Sequence, residues 1–219
     1  MLAVAVVVLA ALGVLAGAIA NRLCVVVADV VIARPRLEIA TGVLWGLTAL
    51  WCGAVGGWGL ASLLLVLVTA GVALIAIDLR VHRLPNAIVL ALYPVTVIGF
   101  AIDGIVTGSW PVLRALVGAA IWLVLFGVVW LISRGRGMGF GDVKLAPVLG
   151  AVLGWIGLGP ALVGLFAAWL IGGIAALVLL VSGRARRGSH LAFGPFMLIG
   201  AGVGLLVGAP VLAWYLGTA

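Results

Sequence analysis

The sequence predicts an all-α fold: a polytopic membrane helix bundle of about eight transmembrane helices. Of its 219 residues, 67% are hydrophobic and only 8% are charged. Mean hydropathy is +1.48. A soluble domain carries about 25% charged residues, so this chain lacks the polar surface that water demands, whereas lipid accepts an apolar exterior directly. The apolar stretches are also long and continuous, unlike the short alternating segments of a porin-like barrel. The 33 glycines fit helices that pack closely in lipid, where small residues let backbones approach.

A spanning helix needs about 20 apolar residues. The first candidate runs from Leu2 to about Ala20 and ends at Asn21-Arg22. No positive region precedes it, so it reads as a retained span rather than a signal peptide. Residues Leu23–Leu37, which include Asp29, either extend that helix or lie at the membrane surface. Further spans cover about Ile39–Ala54, Leu60–Ile77, Ala87–Ile102 and Val112–Ile132. Polar loops follow the third span (Asp78–Asn86) and the fifth (Ser133–Lys144). Leu145–Ile156 and Ala161–Val181 flank the Gly157–Pro160 break, and a final span covers about Leu191–Leu216 after the Ser182–His190 loop.

Charge decides whether that break is a kink or a turn. With eight spans and the N-terminus outside, eleven of the twelve basic residues fall on the cytoplasmic side, leaving only Arg114 outside. A kink would move Arg184, Arg186 and Arg187 outward. The positive-inside rule therefore favours eight spans, forming a single domain over residues 1–219. The net charge of +7 thus serves membrane orientation, and no nucleic-acid partner is expected.

Asp78 and Asp142 both map to the cytoplasmic edge of this arrangement, while Asp103 maps to the opposite side. Two aspartates on one face can hydrolyse a peptide bond without a metal or a covalent nucleophile. Close carboxylates share a proton, so one activates water while its protonated partner polarises the scissile carbonyl. For each residue a plainer role exists. Asp78 suits a helix end paired with Arg80 or Arg83, and Asp142 suits a helix N-cap. Gly139 and Gly141, before Asp142, permit close approach of an extended substrate backbone.

Other chemistries lack their parts. Cys24 and Cys52 stand alone, without a CxxC pair, and read as packing residues. His82 and His190 form no HExxH motif, and no metal site is expected. There is no GxSxG elbow or GxxxxGK[ST] phosphate loop.

The segment Ile77-Asp-Leu-Arg-Val-His-Arg-Leu-Pro-Asn86 resembles the first aspartate motif of the type IV prepilin peptidases. Gly139-Phe-Gly-Asp-Val-Lys-Leu145 resembles their second. Looser matches are Asn21-Arg22-Leu23, Leu37–Gly42 and Phe193–Phe196. The resemblance implies that Asp78 and Asp142 are the catalytic pair, with Pro85, Asn86, Gly139, Gly141 and Lys144 as positioning or substrate-binding positions. It implies an aspartic endopeptidase of the bacterial cytoplasmic membrane, cleaving the short basic leaders of type IV prepilins or pseudopilins at the cytoplasmic face. Many members also methylate the new N-terminus with S-adenosylmethionine and carry paired CxxC motifs between the first two spans. This chain has neither CxxC nor a long segment there, so no cofactor is expected and the short form is closer to members serving Flp/Tad-type or actinobacterial pili. The competing readings are a presenilin- or signal-peptide-peptidase-like protease and a small transporter or structural membrane component. The first lacks its Tyr-Asp and Pro-Ala-Leu motifs. The second lacks internal repeats and midplane polar groups.

Overall fold

The computed structural model describes residues 1–134, 138–183 and 192–217. Arg136, Gly137, the Arg184–Arg187 cluster, His190 and Leu191 lie outside the described residues. Among the described residues there are eight α-helices and no strand. They are α1 (Leu2–Ala28), α2 (Arg36–Val55), α3 (Ala61–Val81), α4 (Asn86–Thr107), α5 (Val112–Ser133), α6 (Phe140–Ile156), α7 (Leu158–Val181) and α8 (Gly194–Tyr215). Seven are long and apolar enough to cross a membrane. The exception is α6, whose 17 residues span about 26 Å at 1.5 Å per residue, just short of a hydrocarbon core of about 30 Å.

The chain divides into two compact units. The first comprises residues 1–81 and 85–110, and the second 82–84 and 111–219. In the first, α1 packs along α2, and α3 contacts both. Side-chain bonds tie α3 to the other two: the Trp45 indole N–H donates to Thr69 Oγ1 at 3.1 Å, and Cys24 Sγ reaches the Ala73 carbonyl at 3.7 Å. The 3-10 turn Trp58–Leu60 leads into α3 and receives α4.

The stretch Leu23–Leu37 divides in two. Helix α1 continues to Ala28, and Asp29 ends it in the left-handed conformation (φ 52°). The Asp29 and Val30 amides bond back to the Val25 and Cys24 carbonyls, each at 3.0 Å, satisfying carbonyls that a helix end leaves open. Asp29 is exposed, so its charge is not a buried burden.

In the second unit α5 pairs with α6 and α7 with α8, while α6 also contacts α7 and α8. Glycine faces make the α7–α8 seam: a Cβ on Gly164 would lie 3.1 Å from the Gly200 carbonyl, and one on Gly200 would lie 2.6 Å from the Gly164 carbonyl. Such contact replaces the hydrophobic drive that lipid removes. The break between α6 and α7 is a single extended residue, Gly157, so the Gly157–Pro160 segment separates two helices rather than kinking one. Trp122, fully buried, donates its indole N–H to the Ala161 carbonyl at 2.9 Å and fastens α5 to α7.

Candidate active site

Asp78 stands in the last turn of α3 rather than in a loop, and is 3% exposed. The apolar run ends at Ile77, but the helix continues through Leu79, Arg80 and Val81. A charge near a helix end does not by itself stop the backbone ladder. The ladder stops at His82, left-handed at φ 52°, followed by the nonhelical Arg83 and Leu84. Arg80, His82 and Arg83 are exposed where Asp78 is buried.

Pro85 and Asn86 form the start of α4. Pro85 is its N-cap, extended at φ −66° and ψ 129°, and its carbonyl accepts the Ile88 and Val89 amides at 3.2 and 3.1 Å. Asn86 is the first helical residue and is exposed. Their local role is to turn the chain out of α3 and into α4.

Asp142 lies in the first turn of α6, not in the loop before it, and is 3% exposed. The N-cap is Gly139. Asp142 Oδ2 accepts the Gly139 amide at 3.1 Å, the return half of a capping box. Because glycine has no side chain, the reciprocal half is absent, and the Asp142 amide bonds the Gly139 carbonyl instead, also at 3.1 Å. The N-cap role expected for Asp142 is thus displaced by three residues: it holds the helix start from N3.

The two glycines differ. A Cβ on Gly139 would meet Asp142 Oδ2 at 3.5 Å and the Gly141 amide at 3.9 Å, ordinary contact distances. A Cβ on Gly141 would lie 2.7 Å from Leu84 Cβ and 3.3 Å from the Leu84 carbonyl oxygen. Gly141 therefore admits the backbone at Leu84, and the second unit brings these residues of the two aspartate motifs together. Lys144 lies over the Phe140 ring, its Nζ 5.0 Å from the centroid, and Phe140 packs against Trp130 of α5 at 5.0 Å. At the start of α8, Phe193 meets Phe126 at 5.7 Å and Trp169 at 5.1 Å, so the Phe-Gly-Pro-Phe segment is an aromatic anchor.

Asp103 is buried against Gly59, at the other end of α3 from Asp78. Among the described residues, no group of three or more His, Cys, Asp or Glu is placed to hold a metal ion.

Residues 65–177 match the sequence profile of the type IV leader peptidase family, a stretch that contains both Asp78 and Asp142. The chain belongs to this family. Among relatives of the type IV leader peptidase family, the chain is 35% identical over 189 residues to a prepilin leader peptidase/N-methyltransferase of Aeromonas salmonicida, covering 84% of this chain and 61% of that protein. It is 37% identical over 171 residues to that of Neisseria gonorrhoeae, covering 75% and 54%. It is also 37% identical over 182 residues to that of Burkholderia pseudomallei, covering 80% and 55%. The chain thus spans about three fifths or less of the length of these relatives. No solved structure matches it significantly.

One constellation was not singled out from the sequence as a site. Glu38, 7% exposed in the first turn of α2, is bonded by Asn21 of α1 and by Arg34. A glutamate inside an otherwise apolar span, four residues after an arginine, was the available signal.

Proposed function

We propose that this protein is a membrane aspartic endopeptidase that removes the leaders of type IV prepilins or pseudopilins at the cytoplasmic face of the bacterial inner membrane. The observation that carries this reading is the pair Asp78 and Asp142. Both lie inside the stretch matched to the leader peptidase family, and both are almost fully buried at helix ends. An aspartate at the centre of a membrane helix costs roughly 2.5–3.5 kcal/mol on insertion scales, and less towards the interface. Two such acids in a bundle with only five acidic residues are functional by default.

In this mechanism the dyad holds one proton. The ionised carboxylate takes a proton from water as the oxygen attacks the scissile carbonyl, while the protonated partner hydrogen-bonds the carbonyl oxygen. The partner passes its proton to that oxygen, giving a tetrahedral diol. As the diol collapses the C–N bond breaks, one hydroxyl returns its proton to the partner, and the first carboxyl gives its proton to the leaving amine. Residues 1–219 act as one peptidase domain, with lipid around it and no nucleic-acid partner. The reading is confined to cleavage: seven residues separate α1 from α2, and the chain has no CxxC motif.

Gly139 is the better candidate for contact with an extended substrate, since among the described residues it has room beside it and Gly141 does not. The test is single replacement of Asp78 or Asp142 by Asn, each variant co-expressed with a prepilin that the wild-type chain processes. Loss of leader removal in both supports the dyad. Processing retained by both removes it.

A further inference from the structure

The first unit holds a buried acid that this chemistry does not use. Gly17 lets α2 press onto α1, because a Cβ there would fall on the Glu38 backbone and 2.8 Å from the Leu37 carbonyl oxygen. That approach brings Glu38 Oε1 to Asn21 Nδ2 at 3.4 Å, and Arg34 Nε lies 3.3 Å from the same oxygen. The other oxygen, Oε2, is buried with no hydrogen-bond partner among the described residues. An unmet oxygen on a buried carboxylate is costly, and a cationic donor is its best complement.

An open cavity of about 450 Å³ is lined by Asn21, Arg22, Val25, Val31, Ile32 and Arg34 among others, and Glu38 stands behind its wall, joined to it through Asn21 and Arg34. Both side chains that hold Oε1 are therefore also cavity wall. The wall is otherwise apolar and suits an aliphatic stem. Arg34 is 68% exposed and already shows that this carboxylate takes a guanidinium. Arg22 is exposed, where water screens its charge, whereas Glu38 is not.

The cavity lies at the Asp78 end of the unit. From the Trp45–Thr69 bond, Glu38 is seven residues back along α2 and Asp78 nine residues on along α3. These are roughly 10 and 14 Å in the same direction for antiparallel helices.

We infer that this cavity receives a lysine or arginine side chain of a bound polypeptide, with Glu38 as its counter-ion. The inference rests on the peptidase reading and gives the basic leader a charge partner separate from the catalytic dyad.

The test uses the purified full chain in phosphatidylcholine vesicles and two peptides. One spans a type IV prepilin leader with its lysines, and the other carries glutamine in their place. Glu38→Gln is expected to raise KM for the lysine peptide about tenfold, with kcat unchanged and the glutamine peptide affected less than about twofold. Arg34→Ala, which removes the competing cation from Oε1 and leaves the Asn21 bond, is expected to lower KM for the lysine peptide alone. An equal effect of Glu38→Gln on both peptides, or none on either, overturns the proposal. So does an effect that follows added phosphatidylglycerol and ignores the lysines, which would assign the cavity to lipid. Should the wild-type chain cleave neither peptide, the peptidase reading fails by itself. Fluorescence anisotropy of the labelled lysine peptide then decides the inference, with weaker binding to Glu38→Gln supporting it and equal binding overturning it.

Discussion

Leu84 lies so close to Gly141 that a single added carbon on the glycine would sit 2.7 Å from Leu84 Cβ, nearer than side chains approach in practice. Three residues from the end of α3 and one residue from Asp142, the chain uses a glycine to seat one motif segment on the other. At Gly139, two positions earlier, the same carbon meets nothing closer than 3.5 Å among the described residues.

That difference separates packing from substrate contact. Gly141→Ala is expected to displace the 82–84 segment and to destabilise by about 1–3 kcal/mol, the usual range for overpacking. Gly139→Ala should fold, with a loss of no more than about 1 kcal/mol, the difference between glycine and alanine at an N-cap, and a melting temperature lower in detergent by about 2–4 °C at most. Gly139→Val should also insert and fold, so a loss of leader cleavage in that variant reports crowding of the substrate. Normal turnover by Gly139→Val would remove Gly139 from the substrate path.

Asp142 closes the first turn of α6 as well as serving the proposed chemistry, and the two roles come apart by substitution. Asn retains an acceptor for the Gly139 amide 3.1 Å away, whereas Ala does not. Thermal unfolding should show Asp142→Asn close to wild type and Asp142→Ala lower by about 1 kcal/mol, the usual worth of a cap. Both should be inactive. Equal stability of the two variants would mean that the cap contributes nothing.

Asp103 supplies the control. It is buried at the far end of α3 from Asp78, in contact with Gly59 of the 3-10 turn. Asp103→Asn should process a prepilin at the wild-type rate. Gly59→Ala, which forces a methyl onto the Asp103 carboxylate, should lower stability by about 1–3 kcal/mol. A processing defect in folded Asp103→Asn would show that the dyad is not the only acid required.

The span count was legible because lipid imposes a simple rule on length and polarity. Seven helices meet that rule, and α6 is the short one, as the sequence placement of Leu145–Ile156 suggests. Helix ends were less legible. Hydropathy falls at Ile77, but the backbone of α3 continues to Val81 because nothing before His82 breaks its hydrogen-bond ladder. Likewise α6 begins at Phe140, five residues before its apolar run, since the turn is held by a backbone-to-carboxylate bond that hydropathy does not register. The aspartates were legible as motif residues. Asn21 and Glu38 fall in two of the looser family matches, but their pairing was not legible, because they lie 17 residues apart on different helices and meet where Gly17 lets α2 approach α1.

The most direct test replaces Asp78 and Asp142 by Cys together, with Cys24 and Cys52 changed to Ala, and treats intact membranes with a thiol–thiol cross-linker a few ångströms long. The shared-proton dyad predicts an intramolecular link between positions 78 and 142, with neither cysteine labelled by an impermeant reagent from the periplasmic side. No link at any cross-linker length short enough for one bridging water, or labelling of the two positions from opposite sides, would contradict it.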